Sequence, residues 1–408
     1  MAAGGDDEMN GKQKTENGKQ KTKNGEWERE RSALHQQVDT LPELVRGMVD
    51  GLVQVVRAAL SDLLCRDTQR VFLVGCGDSY HTPLNAELAF EELAGLPCEP
   101  MTAMQFARYG ADFLPDGANL VMGVSVSGQV SRTAEALALA RQAGATTVAV
   151  TGNPTGALAQ EAEIILKTAV PPLPDELQGM IVPGTRSYIA SQLALYLTAI
   201  HVGEKRSHLT KTAANKLRHE LAGIADLMEQ TIALSDPAAR TLAASWLDAD
   251  RFVFCGAGPN YGTAHFSAAK MIEACGDTAV PQDIEEWAHL QYFEKQVNTP
   301  TFLISANKRD ADRTQEIATA AKTIGRRVAL VAPVGSELVK TAVFDTHLPI
   351  AAPIRECFSP LLTCLPGTLF AAYRAQFLIE PYFRDFSGGR SAEGGGGISR
   401  IRTSHRIS

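Results

Sequence analysis

The chain is poor in the features that mark disulfide-rich and metal-binding proteins. It has seven cysteines in 408 residues, and no two of them form a CxxC pair. They lie mostly inside apolar stretches, at positions 65, 76, 98, 255, 275, 357 and 364. Cysteines in this pattern are typical of reduced core residues. We therefore expect a cytoplasmic protein without disulfides and without a metal site.

Long apolar runs are also missing. No uninterrupted apolar stretch approaches the roughly 18 residues that a membrane-spanning helix requires. The N-terminus lacks the apolar core of a signal peptide. The formal net charge is -7, which argues against a general polyanion-binding surface. The sequence therefore predicts neither a membrane nor a nucleic acid as a partner.

What the chain does contain is an internal repeat. When the sequence is shifted by 181 residues, Arg70–Gln105 lies over Arg251–Glu286 without a gap. The same shift still aligns Arg132 with Arg313, so one register holds over roughly eighty residues and indicates a duplication. Serines follow a strand in the first copy, whereas a Lys, a Glu and a His stand at helix and loop positions of the second. This division predicts one site built by both halves.

Composition divides the chain into four segments. Residues 1–25 contain NGKQKTE followed by NGKQKTK and have almost no apolar residues, so they cannot bury enough surface to fold. The other end is Gly-rich and then basic. We expect a disordered tail (1–27), a first domain (28–205), a second domain (206–386) and a Gly-rich, basic C-terminal tail (387–408).

Apolar strands alternate with helical patterns in both copies. VFLVG, LVMGVSVSG and TTVAVTG are the strand patterns of the first copy, and RFVFCG, TFLISAN and VALVAP follow in the same order in the second. Such alternation favours parallel strands joined by crossover helices. The predicted fold class is therefore α/β.

Two loops of the first copy carry small polar residues just past strand ends. They read GCGDSY, with Gly77 and Ser79, and SVSGQVS, with Ser125, Ser127 and Ser131; we call them the first cradle. Glycines let backbone N–H groups approach an anion, and a helix N-terminus favours negative charge. A phosphate ester would suit such loops, although Ser and Gly also cap helices and form turns.

Two comparisons narrow the interpretation of these loops. A dinucleotide-binding site is the alternative to a phosphate-ester site, but Tyr80 occupies the place of the third glycine of the GxGxxG motif. Under the 181-residue shift, Ser125-Val126-Ser127 becomes Ala306-Asn307-Lys308. We therefore expect the second copy to have lost the cradle.

The second copy carries the candidate proton-transfer groups. Lys270 and Glu273 are three residues apart on one predicted helix and so share a face. A Glu in a partly dry pocket can transfer protons, and His289, sixteen residues further on, can do so near neutral pH. The alternatives are a solvated ion pair and a structural histidine.

At these residues the chain resembles the double sugar-isomerase (SIS) domain family. The similar patterns are those of the isomerase half of glucosamine-6-phosphate synthase, of sugar-phosphate deaminases and of fructosamine-phosphate deglycases. The resemblance covers about Gln36 to the C-terminus and leaves out the synthase's glutaminase domain, so no ammonia from glutamine is expected. It implies two tandem SIS-type three-layer α/β/α domains with flavodoxin-like parallel sheets.

The resemblance also implies a set of substrate-binding residues. Ser79, Ser125 and Ser127 match the positions that hold the sugar phosphate. The other candidates are Gly77, Asp78, Gln129, Ser131 and Arg186. The family often has Thr or Ser at the position of Asp78, whose carboxylate would repel a phosphate unless it points away or pairs with Arg132 or Arg186.

The catalytic residues are also inferred from the resemblance. The resemblance implies that Glu273 moves a proton between C1 and C2 of the open-chain sugar, that Lys270 supports it, and that His289 opens the sugar ring from a neighbouring subunit of a homodimer. Arg400 stands where the synthase has a lysine, and an arginine cannot form a Schiff base. Deglycase-type chemistry, whose substrate already carries its nitrogen, fits this change.

These inferences converge on an enzyme that needs no cofactor. It would act as an isomerase, deaminase or deglycase on an amino- or amine-substituted sugar phosphate. The alternatives are a non-catalytic sugar-phosphate sensor of the same family and a Rossmann-type oxidoreductase that binds NAD(P).

Overall fold

The computed structural model describes residues 19–21, 27–29, 31–391 and 402–407. The short strands Lys19–Lys21 (β1) and Trp27–Arg29 (β2) pair in antiparallel fashion. The remaining residues of the predicted N-terminal tail (1–27), and Arg400 in the C-terminal tail, lie outside the described residues.

Ten further strands form two five-stranded sheets. The first sheet contains β3 (Arg70–Gly75), β4 (Cys98–Thr102), β5 (Asn119–Val124), β6 (Thr146–Thr151) and β7 (Ile164–Lys167). The second contains β8 (Arg251–Gly256), β9 (Thr278–Asp283), β10 (Pro300–Ile304), β11 (Arg327–Pro333) and β12 (Thr346–Ile350).

Helices connect and flank the strands. In the first half they are α1 (Ala33–Asp39), α2 (Leu41–Ala59), α3 (Asp62–Asp67), α4 (Asp78–Ala89), α5 (Ala103–Tyr109), α6 (Ser131–Gln142), α7 (Ala157–Glu161) and α8 (Arg186–Lys205). In the second half they are α9 (Lys211–Ser245), α10 (Pro259–Cys275), α11 (Ile284–His289), α12 (Ala311–Thr323), α13 (Glu337–Thr341) and α14 (Pro360–Leu378).

The two sheets have the same topology. Their strand orders are β4-β3-β5-β6-β7 and β9-β8-β10-β11-β12, and all neighbouring strands are parallel. Counted within each half, both orders read 2-1-3-4-5, the flavodoxin-like order. The predicted α/β class, with two tandem domains built on flavodoxin-like parallel sheets, is confirmed.

The structure shows where the repeat holds and where it slips. Strand β8 begins and ends 181 residues after β3. In the central strand the offset changes. Val121 pairs with Phe72 in the first sheet, and Val253, the counterpart of Phe72 under the shift, pairs with Thr301 in the second. Thr301 is therefore the structural counterpart of Val121. Strand β10 is thus displaced by one residue from the 181-residue register, and this displacement matters for the second cradle.

The main hydrophobic core joins both halves. One buried cluster includes Leu73 of the first sheet, Phe254 of the second and residues of α2, α8, α9 and α14. Helices α4 and α10 cross closely at Gly262, where an added Cβ would lie 2.3 Å from the side-chain oxygen of Asn85. This close crossing brings the start of α4 beside the middle of α10. Among the described residues, no helix is long and apolar enough to span a bilayer.

Candidate active site

The first cradle lies where the topology of the first sheet reverses. Strands β3 and β5 are neighbours, and the chain leaves their carboxyl ends into α4 and α6. Parallel sheets bind ligands at such switch points, because the connections diverge and leave a crevice. Both helix N-termini therefore border the same crevice, and their free N–H groups favour an anion.

Two glycines shape the first loop of the cradle. A Cβ on Gly75 would lie 2.0 Å from the carbonyl oxygen of Ser79, so the turn closes only around a residue without a side chain. Gly77 has φ +58° and starts α4 directly before Asp78. Residues other than glycine rarely adopt this left-handed backbone. The GCG sequence thus sets Asp78 and Ser79 in the first turn of the helix.

The serines of the second loop differ in their surroundings. Ser125 is 2% exposed, and its backbone N–H donates to the Val150 carbonyl at 3.0 Å. Its hydroxyl has no hydrogen-bond partner among the described residues. Ser127 is exposed and accepts a bond from the Gln129 N–H at 3.3 Å, while Ser131 is buried at the start of α6. Buried hydroxyls are rarely left unbonded, so the Ser125 hydroxyl has hydrogen-bonding capacity that the described residues do not use.

The second half keeps one serine of the cradle, contrary to our expectation from the 181-residue shift. Because β10 is displaced by one residue, Ser305 rather than Ala306 is the counterpart of Ser125. The Ser305 N–H donates to Val331 at 3.0 Å, as Ser125 does to Val150.

In this second cradle, a carboxylate of the protein occupies the anion position. The Ser305 hydroxyl donates to Asp310 at 2.9 Å, and the Lys308 N–H approaches the same carboxylate oxygen at 3.5 Å. Burial raises the pKa of Asp310 to about 6, although both hydrogen bonds favour the ionised form. The second cradle is therefore closed by its own Asp310, whereas the equivalent hydroxyl of the first cradle has no partner among the described residues.

The candidate proton-transfer groups meet at the crossing of α4 and α10. Lys270 is fully buried, with 0% exposure, and its ammonium donates to Asp78 at 2.7 Å, to the Gly184 carbonyl at 3.2 Å and to Glu273. It also lies 4.9 Å from the ring centre of Phe266. The i, i+3 spacing on α10 brings Lys270 and Glu273 together, as the sequence predicts. Asp78 comes from the other half of the chain.

The charges of this triad act on one another. Burial opposes ionisation of Asp78, but the Lys270 ammonium and His81 outweigh it and hold the pKa of Asp78 below its ordinary value. Burial would lower the pKa of Lys270, but the two carboxylates raise it. Burial, together with the charge of Asp78, outweighs Lys270 and holds the pKa of Glu273 above its ordinary value. These charges favour the protonated form of Lys270, and Glu273 is the more basic of the two carboxylates.

The triad joins the first cradle through Asp78. This residue lies between Gly77 and Ser79 in the sequence, and its side chain binds Lys270, which in turn binds Glu273. The side chains of Asp78 and Glu273 are 27% and 26% exposed, whereas that of Lys270 is 0% exposed. Two carboxylates therefore reach solvent beside the cradle, while the cation that holds them lies beneath.

The equivalent helix of the first half has no such pair. Ala89 stands at the place of Lys270 under the repeat, and a π-helical turn, Phe90–Ala94, interrupts the stretch that contains Glu92. A π-helical turn inserts one residue into a helix and rotates the residues after it. Glu92 pairs instead with Arg309 on the surface. The proton-transfer pair is therefore a feature of the second half.

The Arg186 guanidinium is bound by groups of the protein itself. Its guanidinium donates to Thr40 at 3.0 Å and to the carbonyls of Pro171 and Pro172 at 2.9 and 3.4 Å. Asp78 pairs with Lys270 rather than with Arg186 or Arg132, so both predicted partners were wrong. Arg186 instead anchors the loop that supplies the Gly184 carbonyl to Lys270.

The end of the chain lies against the first half near the cradle. Arg132, next to Ser131, pairs with Glu135 and donates to the His405 carbonyl. Arg406 pairs with Glu161 at 3.0 Å. The positive charge of Arg402 lies close enough to Glu273 to favour its ionised form. The segment 402–407 therefore brings arginines to the first half and to the triad.

His289 is not part of the triad within one chain. It ends α11, its side chain is 64% exposed, and its ring lies 3.2 Å from Glu285. Glu285 in turn pairs with Arg313 at 2.6 Å. The structure thus brings together Gly77, Asp78, Ser79, Lys270 and Glu273, and it leaves His289 on the surface.

Sequence reasoning missed three contributors to the site. His81 lies 3.4 Å from the second oxygen of Asp78; its position three residues further along the same helix was the available signal. Gln37 of α1 accepts two bonds of 2.6 Å from Thr185 and so fixes the loop of Gly184. No sequence signal marks Gln37 or the Gly184 carbonyl. Within the described ranges, no group of three or more His, Cys, Asp or Glu side chains is arranged to hold a metal ion.

Comparisons with known proteins agree with this geometry. Residues 64–201 match the model of the SIS domain. The chain is 30% identical over 348 residues to a glutamine–fructose-6-phosphate aminotransferase (isomerizing) of Gloeobacter violaceus, covering 84% of this chain and 54% of that protein. A Mycobacterium tuberculosis protein of the same name is 27% identical over 333 residues, with 81% and 52% covered. The chain thus spans about half the length of these curated relatives.

Solved structures extend the likeness to both halves. The C-terminal domain of glucosamine-fructose-6-phosphate aminotransferase from Francisella tularensis superposes with a TM-score of 0.72 at 20% identity, covering 87% of this chain and 97% of that one. Tagatose-6-phosphate ketose/aldose isomerase from Escherichia coli gives 0.67 at 17% identity, with 86% and 94% covered. At these identities the likeness concerns the fold. The first half thus matches the SIS domain by sequence, and the two halves together have the tandem SIS-type fold of these structures.

Proposed function

We propose that this protein is a sugar-phosphate isomerase, deaminase or deglycase that moves a proton between C1 and C2 of an amine-substituted sugar phosphate. The observation that carries the proposal is the buried hydroxyl of Ser125, which has no partner among the described residues. It follows β5, whose neighbour β3 leads into Asp78 of the Glu273–Lys270–Asp78 triad. An anion binds in the cradle, and the reacting carbons lie toward the carboxylates.

The second cradle supports an anionic ligand in the first. Its equivalent serine, Ser305, donates to the carboxylate of Asp310. The same strand-end geometry in the first half offers the same donor, and no acidic group of the described chain accepts from it. A phosphate oxygen would fill this position. Ser125, with Ser127, Ser79 and the N–H groups of α4 and α6, would hold the phosphate.

Glu273 has the properties of the proton carrier. Its raised pKa makes it a better base at neutral pH than an exposed glutamate, and its side chain is partly open to the crevice. A base whose pKa approaches the working pH transfers protons efficiently in both directions. Lys270 holds the carboxylate in one orientation, which is the positioning that such catalysis needs.

The nitrogen of the reaction would come with the substrate. Lys270 stays protonated between two carboxylates, so it offers no free amine as a nucleophile. This feature supports deaminase or deglycase chemistry over the addition of ammonia to a sugar.

A second copy of the chain would complete the site. His289 is exposed beside Leu290 and Phe293, which are 56% and 75% exposed. It does not contact the triad of its own chain. A homodimer that buries these apolar residues would place His289 against a partner's substrate, where it can protonate the ring oxygen. Mixed Glu273→Gln and His289→Ala protomers should then recover activity, and no recovery after verified subunit exchange would count against the shared site.

Deuterium exchange tests the proposal without knowledge of the net reaction. The protein is incubated in heavy water with hexose 6-phosphates, amino-hexose 6-phosphates and fructosamine phosphates, and deuterium at C1 and C2 is followed by NMR. Wild-type protein should exchange one of these hydrogens. Glu273→Gln should bind the same sugar without exchange, and Ser125→Ala should weaken its binding by about 1 kcal/mol or more.

The same experiment separates the remaining alternatives. Binding of a sugar phosphate without exchange by the wild-type protein would identify a sensor. Exchange at the wild-type rate in Glu273→Gln would remove the role that we give to this residue. Stabilisation by NAD(P), with no response to any sugar phosphate, would favour an oxidoreductase.

A further inference from the structure

Asp78 is the acidic residue of the first cradle, and the proposed reaction does not use it directly. It stands at the first position of α4, in the turn that would approach a phosphate. A carboxylate at this place would repel an anionic ligand, so the presence of Asp78 needs an explanation. The contacts of Asp78 with the rest of the protein provide that explanation.

The carboxylate of Asp78 is divided between two neighbours. One oxygen accepts a bond from Lys270 at 2.7 Å. The other is buried, lies 3.4 Å from His81 and has no hydrogen bond among the described residues. Both neighbours are nitrogen groups of the protein, Lys270 on α10 and His81 on α4, so the negative charge of Asp78 has partners within the chain.

The Lys270 ammonium is likewise shared between two partners. Its ammonium bonds Asp78 from one half of the chain and Glu273 from the other. With 0% exposure it has no water to compensate a lost partner. An ammonium shared by two carboxylates stabilises each of them less than it would stabilise one, and the two carboxylates repel each other. The charge on Asp78 therefore influences how strongly Glu273 binds a proton.

We propose that Asp78 is a positioning residue that makes Glu273 a stronger base by competing with it for the Lys270 ammonium. Without Asp78, Lys270 would pair with Glu273 alone and hold it ionised. With Asp78, Glu273 can take up a proton from the substrate and return it. The inference deepens the proposed function, on which its catalytic meaning rests.

Other charged and titratable groups also face this pair. They are His81 on α4, Tyr188 on α8 and Arg402 in the C-terminal segment. His81 favours the ionised form of Asp78, whereas Arg402 favours the ionised form of Glu273 and so acts against the effect of Asp78 on Glu273. Neither is removed by replacing Asp78, and the direction of the expected change is therefore set by Asp78 and Lys270.

The test measures the protonation of Glu273 without any turnover. Carbodiimide with an amine modifies protonated carboxyl groups, and peptide mass spectrometry locates the product. Trypsin cleaves after Lys270, so the peptide that starts at Met271 contains Glu273 but not Asp78. Labelling of Glu273 is followed from pH 4 to pH 9 in the full chain. Asp78→Asn should move the midpoint of this curve down by about one pH unit.

Two variants serve as controls. Asp78→Glu keeps the charge and should keep most of the wild-type midpoint. Asp226→Asn removes a carboxylate from an exposed pair with Arg46, 2.7 Å away, and should leave the midpoint unchanged. If Asp78→Asn does not melt cooperatively, Asp78→Ser makes the same measurement with a smaller side chain.

The outcomes separate this inference from the proposed function. An unchanged or higher midpoint in folded Asp78→Asn and Asp78→Ser would overturn the role of Asp78, even if sugar exchange is observed. A lower midpoint without exchange of any sugar phosphate would uphold that role and reject the enzyme. Where exchange occurs, the acid limb of its pH profile should move down by the same amount as the labelling midpoint.

Discussion

Replacing Lys270 by methionine removes the one buried cation of the triad while keeping a side chain of similar length. Lys270 is fully buried and bonds both Asp78 and Glu273. The variant leaves the two carboxylates without the ammonium that lies between them. We therefore expect a large loss of stability that depends strongly on pH.

The size of the loss follows from the burial of the groups left behind. Removing one partner of a buried ion pair costs about 3–5 kcal/mol, because the remaining charge is uncompensated. The side chains of Asp78 and Glu273 are 27% and 26% exposed, so water compensates part of this. We expect Lys270→Met to lower the free energy of unfolding by about 3 kcal/mol at pH 8.

The pH dependence has a definite sign. In the wild type, Lys270 and His81 hold the pKa of Asp78 below its ordinary value, so the stability that Asp78 contributes is present above its unfolded pKa and lost as the pH falls. Without Lys270, both carboxylates gain raised pKa values, and the folded variant takes up a proton that the unfolded chain does not hold. The deficit of the variant should therefore shrink to about 1 kcal/mol near pH 5.

Urea denaturation followed by tryptophan fluorescence measures both effects. Trp246 and Trp287 are buried and report on the second half. Lys340→Met is the matched control, because Lys340 forms an exposed pair with Glu337 and should cost less than about 0.5 kcal/mol. A deficit that is the same at pH 8 and pH 5, or no larger than that of Lys340→Met, would refute the reasoning.

Two further predictions concern other carboxylates. Asp310→Ser should remove the carboxylate from the second cradle, so that titration with inorganic phosphate gives one more binding equivalent per chain than the wild type. This additional equivalent should disappear when Ser305→Ala is added. An unchanged stoichiometry would contradict the interpretation that Asp310 closes the second cradle. Burial and the nearby Glu91 raise the pKa of Glu87 to about 7, so this carboxylate destabilises the fold above pH 7 and not below its unfolded pKa. Glu87→Gln should therefore stabilise the protein at pH 8 by about 1 kcal/mol after allowance for solvent screening, and an equal gain in urea melts at pH 4 would exclude this explanation.

Much of the fold could be predicted from the sequence because its signals are local. The strand patterns and the helix spacing depend on residues a few positions apart, and the repeat compares such patterns across the chain. The one-residue displacement of β10 could not be predicted in this way. The alignments before and after it keep the same offset, and the pairing of Thr301 with Val253 is set by hydrogen bonds between strands.

In the candidate site, too, the contacts between residues close in sequence could be predicted and the long-range contacts could not. The pairing of Lys270 with Glu273 follows from helical spacing, so it could be predicted. The partner of Asp78 could not, because Lys270 lies 192 residues away and the sequence offers several arginines and lysines as equal candidates. The close crossing of α4 and α10 at Gly262 selects Lys270, and only the packed structure contains this information.

The two cradles explain why the halves of a duplicated chain could take different roles. Each half places a serine, Ser125 or Ser305, at the same strand end and under the same backbone hydrogen bond. In the second half Asp310 satisfies that serine from within the chain, and a closed cradle has no use for an outside anion. A helix of the same half, α10, carries Lys270 and Glu273, and Lys270 contacts Asp78 of the other half. In the first half the serine is unsatisfied among the described residues, and the helix beside it contributes Asp78 to the shared triad. The first copy therefore supplies the open cradle and the second copy the Lys270–Glu273 pair, and the proposed function combines them in one site per chain.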